Sequence, residues 1–270
     1  MNGWDRTVRG WSTWIVIGWC IAVAGCRTTD TGFLNRSVAV NGDEYRYQVY
    51  VPRERQPPNL KWPVILVLHG SGEYGSDGLR QTDVGLAGVI RRHPDRVPAL
   101  VVFPQAHADG TPGWQGAAGR AALTEVDRAI KEFSGDPTRV YLTGYSAGGY
   151  GSWYLASRYP DRFAAVVIVC GFVSGGRGSS GIVYPPLAPE SEQDPFVAVA
   201  RQVVQLPVWI FHGAADPIVP VEQARRMYAA LNQLGANVQY TELAGVGHNA
   251  WDPAYERADL LSWLLQQHRH

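Results

Sequence analysis

Val140-Tyr141-Leu142-Thr143-Gly144-Tyr145-Ser146-Ala147-Gly148-Gly149-Tyr150-Gly151-Ser152-Trp153-Tyr154-Leu155-Ala156 is the stretch on which the fold turns. Its first four residues read as a strand, and residues after Gly148 read as a helix despite their glycines. Between them, Gly144-Tyr145-Ser146-Ala147-Gly148 fits Gly-x-Ser-x-Gly. The pentapeptide alone arises often by chance; its strand–turn–helix setting is what makes it informative. A chain that reverses this sharply holds Ser146 in a strained backbone conformation. Gly144 and Gly148 lack side chains that would clash across the turn. Ser146 also opens a helix, where unpaired amides favour a developing negative charge. Ser146 is therefore the predicted nucleophile.

A serine hydroxyl needs a base to take its proton as it attacks. His248 meets that need, in the glycine-rich loop Gly245-Val246-Gly247-His248-Asn249 between the last strand and the last helix. His69 and His212 stand at strand ends, His93 and His107 in polar or Gly/Pro-flanked segments, and His268 and His270 at the terminus. Each of these reads as a structural or solvent-facing imidazole. A neutral imidazole in turn needs a carboxylate to fix its tautomer. Asp216 follows the strand Val208–His212 in Gly213-Ala214-Ala215-Asp216-Pro217. Its competitor, Asp252, directly precedes Pro253 and reads as a helix cap. Acyl transfer also calls for two convergent amides around the former carbonyl oxygen. Ala147 supplies one. His69-Gly70-Ser71-Gly72-Glu73, a short loop after a strand, supplies the other from Ser71, with Gly72 as the alternative.

Working outward, apolar runs alternate with helical stretches. Strands are expected at Ser37–Val40, Tyr45–Val51, Val64–His69, Leu100–Phe103, Val140–Thr143, Ala165–Cys170, Val208–His212 and Val238–Leu243. The first two alternate in polarity and predict an antiparallel pair at a sheet edge; the others are mostly continuous apolar runs, as in parallel strands covered on both faces. Helices are expected at Ala121–Phe133 and Ser146–Arg158, along the stripe Val221, Ala224, Tyr228, Leu231 and Leu234 that Gly235 ends, and from Asp252 to about Gln267. The fold class is α/β. Ser174–Pro195, rich in Gly, Ser and Pro, matches neither period and reads as a surface excursion that could wall or cover the site.

With these residues in hand, the sequence resembles the α/β-hydrolase superfamily. Within it, the chain is similar to secreted bacterial esterases often labelled predicted peptidases, akin to dienelactone hydrolases and the carboxylesterase/phospholipase group. The resemblance rests on Leu68-His69-Gly70-Ser71-Gly72-Glu73, Phe103-Pro104-Gln105 with Trp114, Tyr141 to Gly151, Trp209-Ile210-Phe211-His212-Gly213 with Asp216-Pro217, and Gly245 to Asn249 with Trp251. It implies about eight mostly parallel strands flanked by helices, no cofactor, and hydrolysis of small-molecule or polymeric carboxylic esters. It further implies that Gln105, Trp114 and Tyr145 contact substrate. Phe172 to Gln205 is longer than the link usual in such relatives. Two other functions compete: a prolyl-oligopeptidase-like serine peptidase, and a lipoprotein that binds ligand without turnover.

Composition sets outer bounds. The 270 residues suffice for one domain with a substantial core, and 46% hydrophobic with 18% charged residues excludes disorder as the main state. Net charge is +0 with no basic cluster, so nothing points to nucleic acid as a partner. The N-terminus differs from the rest. Arg6 and Arg9 precede the apolar stretch Trp11–Ala24, too short for a comfortable membrane span, and Val23-Ala24-Gly25-Cys26 resembles a bacterial lipobox. The expected organisation is a lipoprotein signal at 1–25, a polar tether at 26–36 and a catalytic domain at 37–270, with Cys26 lipidated and the protein held on a membrane outside the cytoplasm. A plain secretory signal and an uncleaved anchor are the alternatives. Cys170 is then the single thiol of the mature domain and reads as a small buried hydrophobe. The seven His are scattered, with no metal-ligand spacing.

Overall fold

The computed structural model describes residue 1 and residues 30–54, 57, 59–107, 113–177, 181–189 and 191–269. The expected signal, Cys26 and the start of the tether lie outside the described residues.

Ten strands and seven α-helices alternate along the described chain. The strands are β1 (Gly32–Val40), β2 (Asp43–Val51), β3 (Trp62–Leu68), β4 (Leu100–Pro104), β5 (Gly135–Tyr145), β6 (Ala165–Val169), the short pair β7 (Gly176–Arg177) and β8 (Val183–Tyr184), β9 (Val208–Gly213) and β10 (Val238–Leu243). The helices are α1 (Leu86–Arg92), α2 (Gly116–Phe133), α3 (Ala147–Arg158), α4 (Pro195–Val203), α5 (Glu222–Gln233), α6 (Trp251–Tyr255) and α7 (Ala258–Leu265). Eight strands form one sheet in the order β1-β2-β4-β3-β5-β6-β9-β10. β1 and β2 are antiparallel to their neighbours and the remaining pairs are parallel. This is the expected α/β-hydrolase architecture.

Strand pleat explains why the central runs are apolar throughout. Val64, Leu66 and Leu68 of β3 face a core shared with α2, α3, α4 and α5, while Ile65 and Val67 face a second core shared with α1, α6 and α7. At the edge, Asn41 and Gly42 both take positive φ (55° and 94°), the geometry of a tight hairpin turn.

Several boundaries differ from those read in the sequence. β1 starts at Gly32, so residues 32–36, expected as tether, pair along β2 from Gly32↔Val51 onward. The expected last helix is two helices, because Arg257 takes an extended conformation (φ −66°, ψ 127°). Asp252 is inside the first turn of α6 and accepts a hydrogen bond from Asn249 Nδ2 at 2.8 Å, so it does not cap that helix. Leu234 is exposed; Ala224, Met227, Ala230 and Leu231 form the buried stripe of α5. Within the long connection after β6, α4 starts at Pro195, where the Asp194 carboxylate accepts the Phe196 amide at 2.8 Å.

One core residue conflicts with its surroundings. Glu125 of α2 is fully buried, and both its carboxyl oxygens lack a hydrogen-bond partner among the described residues. Burial pushes this carboxyl well above the usual range. The folded state therefore holds a proton that the unfolded chain releases above about pH 4.5, and stability falls as pH rises from there towards the folded pKa. Replacing Glu125 with Leu removes two unsatisfied oxygens worth about 1–3 kcal/mol, or a few degrees in Tm. The expected result is a higher Tm at pH 8 for Glu125→Leu, with a smaller gain at pH 5. Thermal melts at the two pH values check it; an equal or lower Tm at pH 8 contradicts it.

Candidate active site

Three loops at the carboxyl edge of the sheet meet around Ser146. The serine connects β5 to α3 with φ 54° and ψ −118°, a left-handed conformation that a non-glycine residue adopts only when its surroundings enforce it. Enforcement is visible on both sides. The Ser146 amide donates to the Val169 carbonyl at 3.0 Å, and a Cβ on Gly148 would overlap the Leu68 carbonyl oxygen. The turn thus packs directly against β3 and β6.

His248 Nε2 is 2.9 Å from Ser146 Oγ, and His248 Nδ1 is 2.8 Å from Asp216 Oδ2. A carboxylate only accepts, so Nδ1 carries the hydrogen and Nε2 is left free to accept from the serine. The Asp216 and His248 loops are stitched together by Ala214 N–H to Leu243 O at 3.0 Å and Ala215 N–H to Val246 O at 2.9 Å. The Asp216 side chain is 0% exposed. Burial alone would push its carboxyl up, but donors from His212, His248, Val219 and Ile218 outweigh this and hold it well below the usual range.

His212 was read as an ordinary strand-end residue, yet its buried Nε2 is 3.3 Å from Asp216 Oδ2. The spacing of four residues was visible in the sequence, but nothing in it told which way the ring turns.

Ala147 and Ser71 both border a cavity of about 320 Å³ in front of Ser146. Ala147 is the first residue of α3, so its amide has no helical acceptor. Ser71 opens a single 3-10 turn after β3. Phe172, Tyr184, Trp251, Val219 and Ile218 supply apolar walls, and Tyr145, expected to contact substrate, borders the same space. Its hydroxyl donates to Glu73 Oε2 at 3.1 Å, and burial raises the Glu73 carboxyl above its ordinary range. Glu73 stood within a quoted motif and Tyr184 within the expected wall, but no role was read for either, nor for Phe172, which marked only the start of the long link. The excursion at Ser174–Pro195 does form a wall: Gly175, Gly176, Arg177 and Tyr184 border the cavity, and Tyr184 is tied to Tyr74 by hydroxyl groups 2.9 Å apart.

Two expected substrate contacts are elsewhere. Trp114 is 0% exposed beneath the site; its Nε1–H donates to His69 O at 3.1 Å and its ring occupies the space that a Cβ on Gly151 would fill. Gln105 is also buried: its Nε2 donates to Glu73 O at 3.1 Å and its Oε1 accepts the Gly78 amide at 2.6 Å. Both brace the loop that carries Ser71. They are hydrogen-bonded from beneath because a backbone run without strand partners must satisfy its polar groups some other way. His69 serves the same loop, accepting the Ala106 amide on Nε2 at 3.0 Å, and burial lowers its pKa to about 4.

For a metal, the ligand atoms of Cys170, Asp216 and His248 lie within 4.8 Å of one another. Two of these groups are already hydrogen-bonded together, and burial pushes the Cys170 thiol up, which opposes the thiolate a metal would need.

Fold and site geometry define the class as an α/β-hydrolase. Residues 120–269, more than half of the chain, match the prolyl oligopeptidase family, and the chain belongs to that family. Among curated proteins it is similar to feruloyl esterase B of Thermothelomyces thermophilus, 26% identical over 78% of this chain and 77% of that protein. It is also 29% identical, over 75% of its length, to an uncharacterized secreted protein of Arthroderma benhamiae, of which it spans only 23%. A solved thermostable esterase superposes with a TM-score of 0.71 at 27% identity, covering 88% of this chain and 63% of that one. The chain is thus a member of the serine-hydrolase group that contains both esterases and peptidases.

Proposed function

We propose that this protein is a serine esterase that works through an acyl-enzyme on Ser146. The observation that carries the reading is the pair of contacts, 2.9 Å and 2.8 Å, linking Ser146 Oγ to His248 and His248 to Asp216. Ser146 Oγ attacks the ester carbonyl as its proton passes to His248 Nε2, and Asp216 stabilises the imidazolium. The carbonyl oxygen takes negative charge and is met by the Ala147 and Ser71 amides. Collapse breaks the bond to the alcohol, which leaves with the proton from His248. Water, deprotonated by the same imidazole, then attacks the acyl group and frees Ser146.

A compact cavity with aromatic walls suits short or aromatic acyl groups. The similarity to a feruloyl esterase supports the same class. A panel of p-nitrophenyl esters of increasing chain length, run beside feruloyl esters and peptide substrates, tests this. Short or feruloyl esters are expected to turn over fastest. Faster cleavage of peptide amides than of any ester would make the protein a peptidase, the reading the family name favours next. No turnover at all would leave a ligand-binding protein.

We place the enzyme outside the cytoplasm on a lipid anchor at Cys26, supported by the basic residues, apolar stretch and Val23-Ala24-Gly25-Cys26 box. The secreted relative agrees with export. In cells fed a fatty-acid analogue, label is expected on the wild-type protein and not on Cys26→Ser. Equal labelling of both would remove the anchor.

A further inference from the structure

We propose that His212 is a positioning residue, holding Asp216 in the orientation that lets it serve His248; this rests on the reading of Ser146, His248 and Asp216 as the reacting set. His212 is the next-to-last residue of β9, and its side chain is 0% exposed. Its Nε2 is 2.9 Å from the Val219 carbonyl oxygen and 3.3 Å from Asp216 Oδ2. Neither oxygen can donate, so Nε2 carries the hydrogen and shares it between the two. Nδ1 is buried with no partner among the described residues.

That asymmetry is informative. An apolar ring of similar size would fill the same space without stranding a polar nitrogen, which costs stability. Shape alone does not account for an imidazole here; its one engaged nitrogen is directed entirely at the turn from 216 to 219. In that turn Asp216 Oδ1 accepts the Ile218 and Val219 amides, each at 2.9 Å. Oδ2 is left to two imidazoles, His248 and His212. The amides anchor one end of the carboxylate, and His212 ties the other end and the Val219 carbonyl to the last residues of β9, a strand paired on both sides. Without that tie the carboxylate can rotate away from His248 while the turn stays folded.

The test is a cycle of His212→Leu, His212→Gln, Asp216→Asn and the double variant His212→Leu/Asp216→Asn, assayed for kcat and KM on p-nitrophenyl butyrate. His212→Leu is expected to lower kcat by about 10- to 100-fold, the scale of a small misplacement of a reacting group, with KM within about twofold. His212→Gln, which keeps an N–H donor, should recover most of that loss. Added to Asp216→Asn, His212→Leu should cost less than about twofold more, because a residue acting through Asp216 has nothing left to act on. His212→Phe, which keeps a planar ring, replaces His212→Leu in each comparison if the latter fails to fold. The inference is overturned if the apolar variant keeps kcat near wild type, if Gln is as impaired as Leu, or if the loss is undiminished in the Asp216→Asn background. A crippled Asp216→Asn beside an unimpaired His212→Leu refutes this inference alone; a fully active Asp216→Asn refutes the underlying triad.

Discussion

Ser146→Ala is expected to lose all covalent labelling by a fluorophosphonate and to lower kcat for esters by about ten-thousandfold to a millionfold. The expected effect is large because the proposed reaction has no second route at this site: with Oγ gone, His248 Nε2 faces a methyl group, and only water can attack. What remains is the catalysis that oxyanion donors and substrate binding supply by themselves, roughly a thousandfold or more over water. The variant should stay folded, since among the described residues Ser146 Oγ contributes a hydrogen bond only to His248 and the strained turn is held by backbone contacts to Val169 and packing against Leu68. Substrate binding should also persist, so equilibrium binding of a slow ester to Ser146→Ala separates the chemical step from recognition. Labelling of both wild type and variant would move the nucleophile to another residue.

Asp216→Asn follows in size, with kcat expected to fall by about ten-thousandfold. The substitution is nearly isosteric. It keeps an oxygen for the Ile218 and Val219 amides, which explains why the fold should survive. What changes is the face towards His248. An amide N–H placed there donates, so His248 Nδ1 must lose its hydrogen and Nε2 must take it, and Nε2 can no longer accept from Ser146. The imidazolium formed during attack also loses its counter-charge. Because donors from His212, His248 and the turn hold the wild-type carboxyl well below its usual range, Asp216 stays ionised across the pH range in which an esterase is assayed. The defect of Asp216→Asn should therefore be present throughout that range. Activity close to wild type in this variant would assign the acid elsewhere; Asp252, which contacts Asn249, is the alternative weighed from the sequence.

How far the sequence reached depends on the physics behind each signal. The meeting of Ser146, Asp216 and His248 at one edge of the sheet was legible because each stands where a strand gives way to a loop, and apolar runs of β-branched residues mark strand ends clearly. Strand existence was legible for the same reason, whereas helix ends were not: α6 and α7 are separated by Glu256 and the extended Arg257, which leave no mark on the apolar pattern. The short strands β7 and β8, at the wall of the cavity, are too brief to show any period. Gln105 and Trp114 lay beside the right motifs and were read as touching substrate. Their burial beneath the loop of Ser71 depends on Gly151 leaving room for an indole and on Gly78 presenting its amide, contacts between residues far apart in the chain.

Local chemistry therefore determined the class of this protein: periodicity set the alternating sheet and helices, and turn residues marked where reacting groups could stand. Tertiary structure decided which groups face one another. It turned His212 towards Asp216, set Glu73 beside Tyr145, and drew Trp114 away from the cavity. The physical reason is that strand and helix signals are written in near neighbours, whereas the direction of a side chain is settled by packing against residues tens or hundreds of positions away.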